Sequence, residues 1–201
     1  ITIDAGDDFS MAAGSVLNAS TSIVVNIDSG DADTGTGATA DLGGTFTSGS
    51  GATVASAGDA DTFNVNATTA ATLTGAAGDD TFNVSFNVGG TIDGGSSSET
   101  NGDLLNVSGH ATAQLLNLGN SSVSAVNGGG AAGFSNFEDF TGDGVNDTLR
   151  GTSSGDTFTV TTENDGTFSG GSVTADFNDF SILEGVDGAD IFTFNASLTG
   201  S

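Results

Sequence analysis

The chain has 201 residues and a formal net charge of −25, because 26 acidic side chains face a single basic one, Arg150. This charge excludes nucleic acid as a partner, since binding a phosphate backbone depends on Lys and Arg. There is no Cys, which excludes disulfides and thiolate metal sites, and the hydrophobic fraction of 35% is enough for a thin, elongated core.

The residue types favour strands and turns over helices. Lys is absent, and Gln114 and Met11 are the only residues of their types, so helix formers with long unbranched side chains are scarce. Val, Ile, Thr and Phe suit pleated strands, while Gly, Asp, Asn and Ser suit tight turns. No segment approaches the roughly 20 continuous apolar residues of a membrane helix, so we expect no membrane insertion. Because the chain begins at Ile1 without a signal peptide, we expect an internal fragment or a processed chain.

In chain order, the first feature is an irregular Gly-, Asp- and Thr-rich segment, residues 30–51, which predicts a projecting loop. The phrase Asp-Thr-Phe-Asn-Val follows at 61–65 and again at 80–84. Looser forms stand at 103–107, 156–160 and 190–194. Alternating apolar residues in each phrase predict a short strand with one buried face, preceded by a turn that holds the Asp. The Phe residues predicted to stack inside are Phe63, Phe82, Phe158 and Phe192. A Gly-rich patch at 127–133 predicts a further turn.

Two repeat lengths are visible. The first three phrases begin 19 and then 23 residues apart, which matches one coil of a parallel β-solenoid. A longer period of 43 residues relates Phe134 to Phe177, Phe137 to Phe180, Phe140 to Leu183, Gly142 to Gly185, Asp147 to Asp190 and Leu149 to Phe192. This unit predicts about two coils. The sequence therefore predicts an all-β fold, a parallel β-solenoid with coils of about 20 residues, in which residues 1–201 form a single elongated segment of a longer chain.

Several turns place Gly and Asp five positions apart. Residues 75–83 and 185–193 have Gly at positions one and four, Asp at position six and Phe at position eight. Residues 142–150 and 151–159 are consecutive nonapeptides that lack the Gly at position four. These turns resemble the repeats-in-toxin calcium nonapeptide of haemolysins and bacterial adhesins. The resemblance implies Ca²⁺ as a cofactor, with Asp80, Asp147, Asp156 and Asp190 as ligands, and Asp79, Asp143 and Asp187 are neighbouring candidates. The alternative is that each Asp accepts backbone N–H bonds in its turn.

Other chemical sites have weaker support. Residues 139–150 begin like an EF-hand loop but have Arg150 at the twelfth position, where a bidentate Glu belongs. The single histidine, His110, lies among small residues and is predicted to be an exposed turn residue. No nucleophile elbow or phosphate loop is present, so the sequence predicts that the chain is not an enzyme.

The degenerate repeats and the acidic, Gly-, Asn- and Thr-rich composition resemble the repeat regions of giant secreted bacterial adhesins and surface filaments. This resemblance implies an extracellular or cell-surface structural segment that supplies length, stiffness and contact and is stabilised by calcium. The expected partners are further copies, bound head to tail or laterally, and cell-surface or matrix molecules. Two alternatives stay open: a calcium-responsive folding module of a secreted toxin or enzyme, and a β-helix enzyme acting on polysaccharides.

Overall fold

The computed structural model describes residues 1–30, 33–95, 98–125 and 132–195, with the backbone alone for 122–125 and 132. Within these ranges the regular secondary structure is all β, and no helix is long and apolar enough to cross a membrane. The strands are β1 (Thr2–Asp4), β2 (Phe9–Met11), β3 (Val16–Ala19), β4 (Ile23–Asn26), β5 (Thr39–Leu42), β6 (Thr45–Ser48), β7 (Ala52–Ala55), β8 (Thr62–Val65), β9 (Thr72–Thr74), β10 (Thr81–Val84), β11 (Thr91–Asp93), β12 (Leu104–Asn106), β13 (Gln114–Asn117), β14 (Ser122–Ala125), β15 (Ala132–Ser135), β16 (Asp139–Thr141), β17 (Thr148–Arg150), β18 (Thr157–Thr162), β19 (Asp165–Gly170), β20 (Val173–Asn178), β21 (Ile182–Glu184) and β22 (Ile191–Phe194).

The strands of the described ranges form two ten-stranded sheets and one two-stranded sheet. The first sheet has the order β1-β4-β7-β9-β11-β15-β14-β13-β17-β21, the second has the order β2-β5-β8-β10-β12-β16-β20-β19-β18-β22, and β3 pairs with β6 in the third. Thr53 pairs in parallel with Thr72 in the first sheet and Thr62 with Thr81 in the second, so both sheets advance by 19 residues at this step. The prediction of an all-β chain with mainly parallel strands is therefore confirmed.

Each residue of the repeated phrase has its own place in the second sheet. Phe63 and Phe82 point inward and are fully buried, and their rings stack with centroids 4.4 Å apart and an interplanar angle of 3°. The Asn residues point outward and form a ladder, because the Nδ2 atom of Asn83 donates to Asn64 Oδ1 (2.9 Å) and that of Asn106 donates to Asn83 Oδ1 (3.0 Å). The phrase thus encodes one strand whose inner and outer faces both match the next strand.

The inward aromatic row continues towards the C-terminal end. Phe158 and Phe192 stack with centroids 4.9 Å apart and an interplanar angle of 2°. Between the two stacked pairs the buried row contains Leu105, Phe140, Phe177 and Phe168. The predicted stacking is confirmed within each pair, and the two pairs are separate parts of one longer core.

The 43-residue unit differs from the two coils that its length predicted. In the first unit, β13, β14 and β15 form an antiparallel meander in the first sheet, followed by β16 and β17. The second unit repeats this order with β18 to β22, but its meander lies in the second sheet. Equivalent residues such as Phe134 and Phe177 therefore lie in opposite sheets. Tight turns cause the reversal, and in the second meander Asn164 and Gly171 adopt φ values of 65° and 58° there.

Two segments were predicted to be loops or turns. The segment 30–51 was predicted to project, but β5 and β6 lie within it and pair with strands of the second and third sheets. The prediction is corrected for residues 39–48, because polar and apolar residues alternate there as they do in the other strands. Most of the Gly-rich patch predicted at 127–133 lies outside the described residues.

Candidate functional site

Acidic residues occupy the position immediately before many strands. This position is held by Asp61, Asp80, Asp103, Glu138, Asp147, Asp156 and Asp190. Four of these residues, Asp61, Asp80, Asp103 and Glu138, precede neighbouring strands of the second sheet, and we call them the acidic column. Because parallel strands lie about 4.7–4.9 Å apart, the topology brings these carboxylates close together along one edge.

The acidic column is joined by hydrogen bonds from backbone to side chain. Asp61 N–H donates to Asp80 Oδ1 (2.7 Å), Asp80 N–H donates to Asp103 Oδ1 (2.7 Å), and Asp103 N–H donates to Glu138 Oε2 (3.0 Å). At the start of the column, Ala38 N–H donates to Asp61 Oδ1 (2.6 Å). Each carboxylate thus satisfies a backbone donor that the strand ladder leaves unpaired.

The first glycine of the nonapeptide makes room for this carboxylate. A Cβ atom at Gly75 would collide with Oδ2 of Asp80, and one at Gly185 would collide with Oδ2 of Asp190. The Gly-x-x-x-x-Asp spacing therefore has a steric cause in the turn itself. This agrees with the alternative that each Asp serves its turn as an acceptor.

Burial raises the pKa values of the aspartates in the acidic column. Loss of solvent, together with the nearby carboxylates of Asp61 and Asp103, raises the pKa of Asp80 to about 8. Loss of solvent likewise raises the pKa of Asp103 to about 6, with contributions from Glu99 and Glu138. The pKa of Asp61 is also raised, mainly by burial. The Oδ2 atoms of these three aspartates are buried and have no hydrogen-bond partner among the described residues.

The structure separates the predicted calcium ligands into several local turns. Asp147 accepts hydrogen bonds from Gln114 N–H (2.7 Å) and Asp143 N–H (2.9 Å), while Asp143 Oδ1 accepts from the N–H groups of its own loop. Asp156 accepts from the N–H and the hydroxyl of Thr152, both at 2.6 Å. In this part of the chain the carboxylate oxygens are thus engaged by protein donors.

The remaining predicted ligands lie elsewhere. Asp190 Oδ1 accepts from Asp156 N–H (3.1 Å), and Asp187 is exposed. Asp79 accepts from the N–H groups of three consecutive residues, 100–102, and the bond from Thr100 makes the largest contribution to lowering its pKa. The seven predicted residues therefore do not converge on one point in the described structure.

A different acidic group does converge. One carboxylate oxygen from each of Glu99, Asp103 and Glu138 lies within 4.8 Å of the other two, and we call this group the Glu99 cluster. Sequence reasoning missed it because Asp103 and Glu138 are 35 residues apart. The available signal was the rarity of Glu, which occurs four times in the chain, twice in this cluster.

The histidine and the arginine have local partners. Arg150 Nε donates to Glu184 Oε2 (2.7 Å). His110 is half-buried where the sequence predicted exposure, because its ring nitrogens lie 2.9 Å from Gln114 Nε2 and 3.2 Å from Asn87 Oδ1. Both groups thus contribute to local polar contacts.

A groove of about 350 Å³ lies over the second sheet and carries Asp139, Asp165 and Asp176 on its walls. Asp139 and Asp176 are partners in neighbouring parallel strands, and burial followed by the charge of Asp176 raises the pKa of Asp139. The groove offers several carboxylate oxygens to a hydroxyl-bearing or cationic ligand.

No protein family model, curated protein or solved structure matches this chain.

Proposed function

We propose that the chain is a structural segment of an extracellular filament, stalk or adhesin, whose stacked strands supply length and stiffness. One strand from each large sheet, with its connections, would form one coil of about 20 residues in a parallel β-solenoid. The 19-residue advances from β7 to β9 and from β8 to β10 support this coil size, whereas a step that includes a further strand is longer, such as the 31 residues from Phe9 in β2 to Ala40 in β5. Ten strands at about 4.8 Å spacing would span about 43 Å along the stack.

The observation that carries this proposal is the exposed apolar edge at the C-terminal end of the stack. The first and second sheets end at β1 and β2 on one side and at β21 and β22 on the other. At the C-terminal end Phe192 and Phe194 are 39% and 57% exposed, although their positions in β22 continue a row that is buried in β18. An exposed apolar edge of this kind favours pairing with a further strand.

A second copy fits this edge in one register. If β2 of that copy pairs in parallel with β22, the inward residue Phe9 meets Phe192 and Met11 meets Phe194. In the first sheet the same placement brings Ile3 opposite Leu183. The apolar rows of both sheets would then continue across the junction.

Charge favours this end-to-end contact over a lateral one. The acidic chain carries one arginine, so lateral faces of two copies repel each other. At the ends the apolar rows offset part of this repulsion, although Asp4 would lie opposite Glu184. We therefore expect association to strengthen as salt screens the carboxylates.

Sedimentation velocity at increasing protein concentration tests the proposal. The unaltered chain should associate, and the double variant Phe192→Asp with Phe194→Asp should stay monomeric because both sites are exposed in the single chain and buried in the assembly. Val145→Asp, at an exposed loop position, is the matched control and should associate like the unaltered chain. Equal sedimentation of all three proteins as monomers at every concentration and salt level would refute the assembly.

The acidic column supports a second candidate, the calcium-responsive folding module. Its buried carboxylates with raised pKa values disfavour the folded state at neutral pH, and cations would relieve that penalty. Far-UV circular dichroism in EDTA and in CaCl₂ separates the two candidates. A β spectrum in EDTA supports the structural segment, whereas a chain that folds only with CaCl₂ supports the folding module.

A further inference from the structure

The connection between β11 and β12 is longer than the two equivalent connections that precede it. Ten residues separate these strands, whereas six separate β7 from β8 and six separate β9 from β10. The longer connection carries Glu99 close to the carboxylates of Asp103 and Glu138. It therefore adds a carboxylate where the acidic column is already crowded.

The Glu99 cluster has the dimensions of a site for one ion. Two oxygens bound to the same Ca²⁺ at about 2.3–2.6 Å lie at most about 5 Å apart. The three carboxylate oxygens of the cluster all lie within 4.8 Å of one another, so a single ion can contact all of them. The three residues come from two separate segments, so an ion here would join the β11–β12 connection to the turn before β16.

The state of Asp103 gives an independent indication of a ligand. Its side chain is 0% exposed, and Oδ1 already accepts a hydrogen bond from Asp80 N–H. Oδ2 is buried and has no hydrogen-bond partner in the described part of the chain. A buried carboxylate oxygen without a donor is costly, and a bound cation removes that cost.

The chain has no side-chain cation to spare for this position. Its one arginine is paired with Glu184, and His110 contacts Gln114. We propose that Glu99, Asp103 and Glu138 bind a single divalent cation of the calcium type. Ca²⁺ accepts six to eight oxygens in flexible geometry, whereas Mg²⁺ demands a near-ideal octahedron and dehydrates reluctantly, so a cluster of carboxylates completed by water selects Ca²⁺.

Neighbouring contacts hold the ligands in position. The carboxylate of Asp79 accepts from Thr100 N–H (2.7 Å) and Asn101 N–H (3.1 Å), which fixes the residues that follow Glu99. Glu138 packs over Gly102, whose φ of 99° favours glycine. These segments therefore lose less conformational entropy when the ion binds.

Calorimetric titration of the whole chain with CaCl₂, after treatment with EDTA, tests this site. We expect one ion per chain at high affinity and weaker binding of MgCl₂ at matched ionic strength. Glu99→Gln and Glu138→Gln should each weaken calcium binding by about tenfold or more, because each removes one charged ligand. The matched control is Glu163→Gln, which makes the same charge change at an exposed turn and should leave the affinity unchanged.

Two results would overturn the site: CaCl₂ binding no better than NaCl at equal ionic strength, or equal calcium affinity in all three variants. Glu99→Gln lies in a connection and should keep the β spectrum of the unaltered chain in EDTA, so it decides the question even if Glu138→Gln fails to fold. The proposal does not rest on end-to-end association, since the double variant at Phe192 and Phe194 retains the cluster and should bind calcium normally.

Discussion

The carboxylate of Asp80 accepts a hydrogen bond from the backbone N–H of Asp61, with Oδ1 2.7 Å from the nitrogen. The same contact recurs between Asp103 and Asp80 one strand further along. An acidic side chain thus extends the hydrogen bonding of the parallel sheet by one residue at the start of each strand that follows the acidic column. The arrangement satisfies the backbone and places several carboxylates in a buried column, so stability should depend on their protonation.

We expect stability to fall as pH rises from about 5 to about 8 in EDTA. Folding raises the pKa of Asp80 from 3.8 to about 8 and that of Asp103 to about 6, so the folded chain holds protons that the unfolded chain has released. This contribution is fully present below the unfolded pKa and is lost as pH rises through the folded pKa. Urea denaturation across this range at constant ionic strength measures it. Asp80→Asn keeps the acceptor for Asp61 and should flatten the slope, whereas stability that rises with pH would contradict the assignment.

Removing a stacked ring from the core should be costly. Phe82 is fully buried and stacks on Phe63, so Phe82→Ala should lower the free energy of unfolding by ~3–5 kcal/mol. Phe86→Ala is the control, because that ring is 47% exposed. Chemical denaturation of the two variants compares them, and equal losses would mean that the inward register of β10 is wrong.

Gly75, five residues before the turn aspartate Asp80, should not tolerate even a methyl group. A Cβ at Gly75 would collide with the carboxylate of Asp80 and with the carbonyl of Gly94. Gly75→Ala should therefore lower the melting temperature clearly, while Gly6→Ala, which meets open space, should change it little. Similar melting temperatures for both variants would show that the turn adapts without cost.

Asp156→Asn should destabilise the chain equally with and without calcium. Both oxygens of Asp156 accept from Thr152, and Asn offers one acceptor in place of two. The loss should be about 1.5–3 kcal/mol, the usual worth of a hydrogen bond to a charged group. Asp7→Asn is the control, because it makes the same charge change at an exposed position outside the predicted calcium turns and should change the stability little. A loss for Asp156→Asn seen only in CaCl₂ would instead support the calcium role implied by the nonapeptide resemblance.

The repeated phrase was sufficient to predict the local structure of the second sheet. Alternation of Phe63 and Val65 with polar residues places the apolar side chains inside, and the 19-residue offset sets the partner strand. The meanders were missed because hairpin turns such as that at Asn164 have the same polar residues as the turns between parallel strands.

The Glu99 cluster was missed for a topological reason. The next strand of the second sheet after β12 is β16, and the chain between them crosses the first sheet and forms a meander there. The contact of Asp103 with Glu138 depends on this detour, which no local pattern in the sequence specifies. Local periodicity therefore predicts the strand register, whereas the acidic site depends on strand order.

Cysteine cross-linking tests the proposed end-to-end contact most directly, since the natural chain contains no Cys. When β2 of one copy pairs with β22 of another, Ser10 of the first copy lies beside Thr193 of the second. A disulfide can bridge the distance between such neighbouring strands. Mixing Ser10→Cys with Thr193→Cys under mild oxidation should give a cross-linked dimer in clear excess over a mixture of Val145→Cys with Thr193→Cys. Equal yields from the two mixtures would contradict the end-to-end assembly.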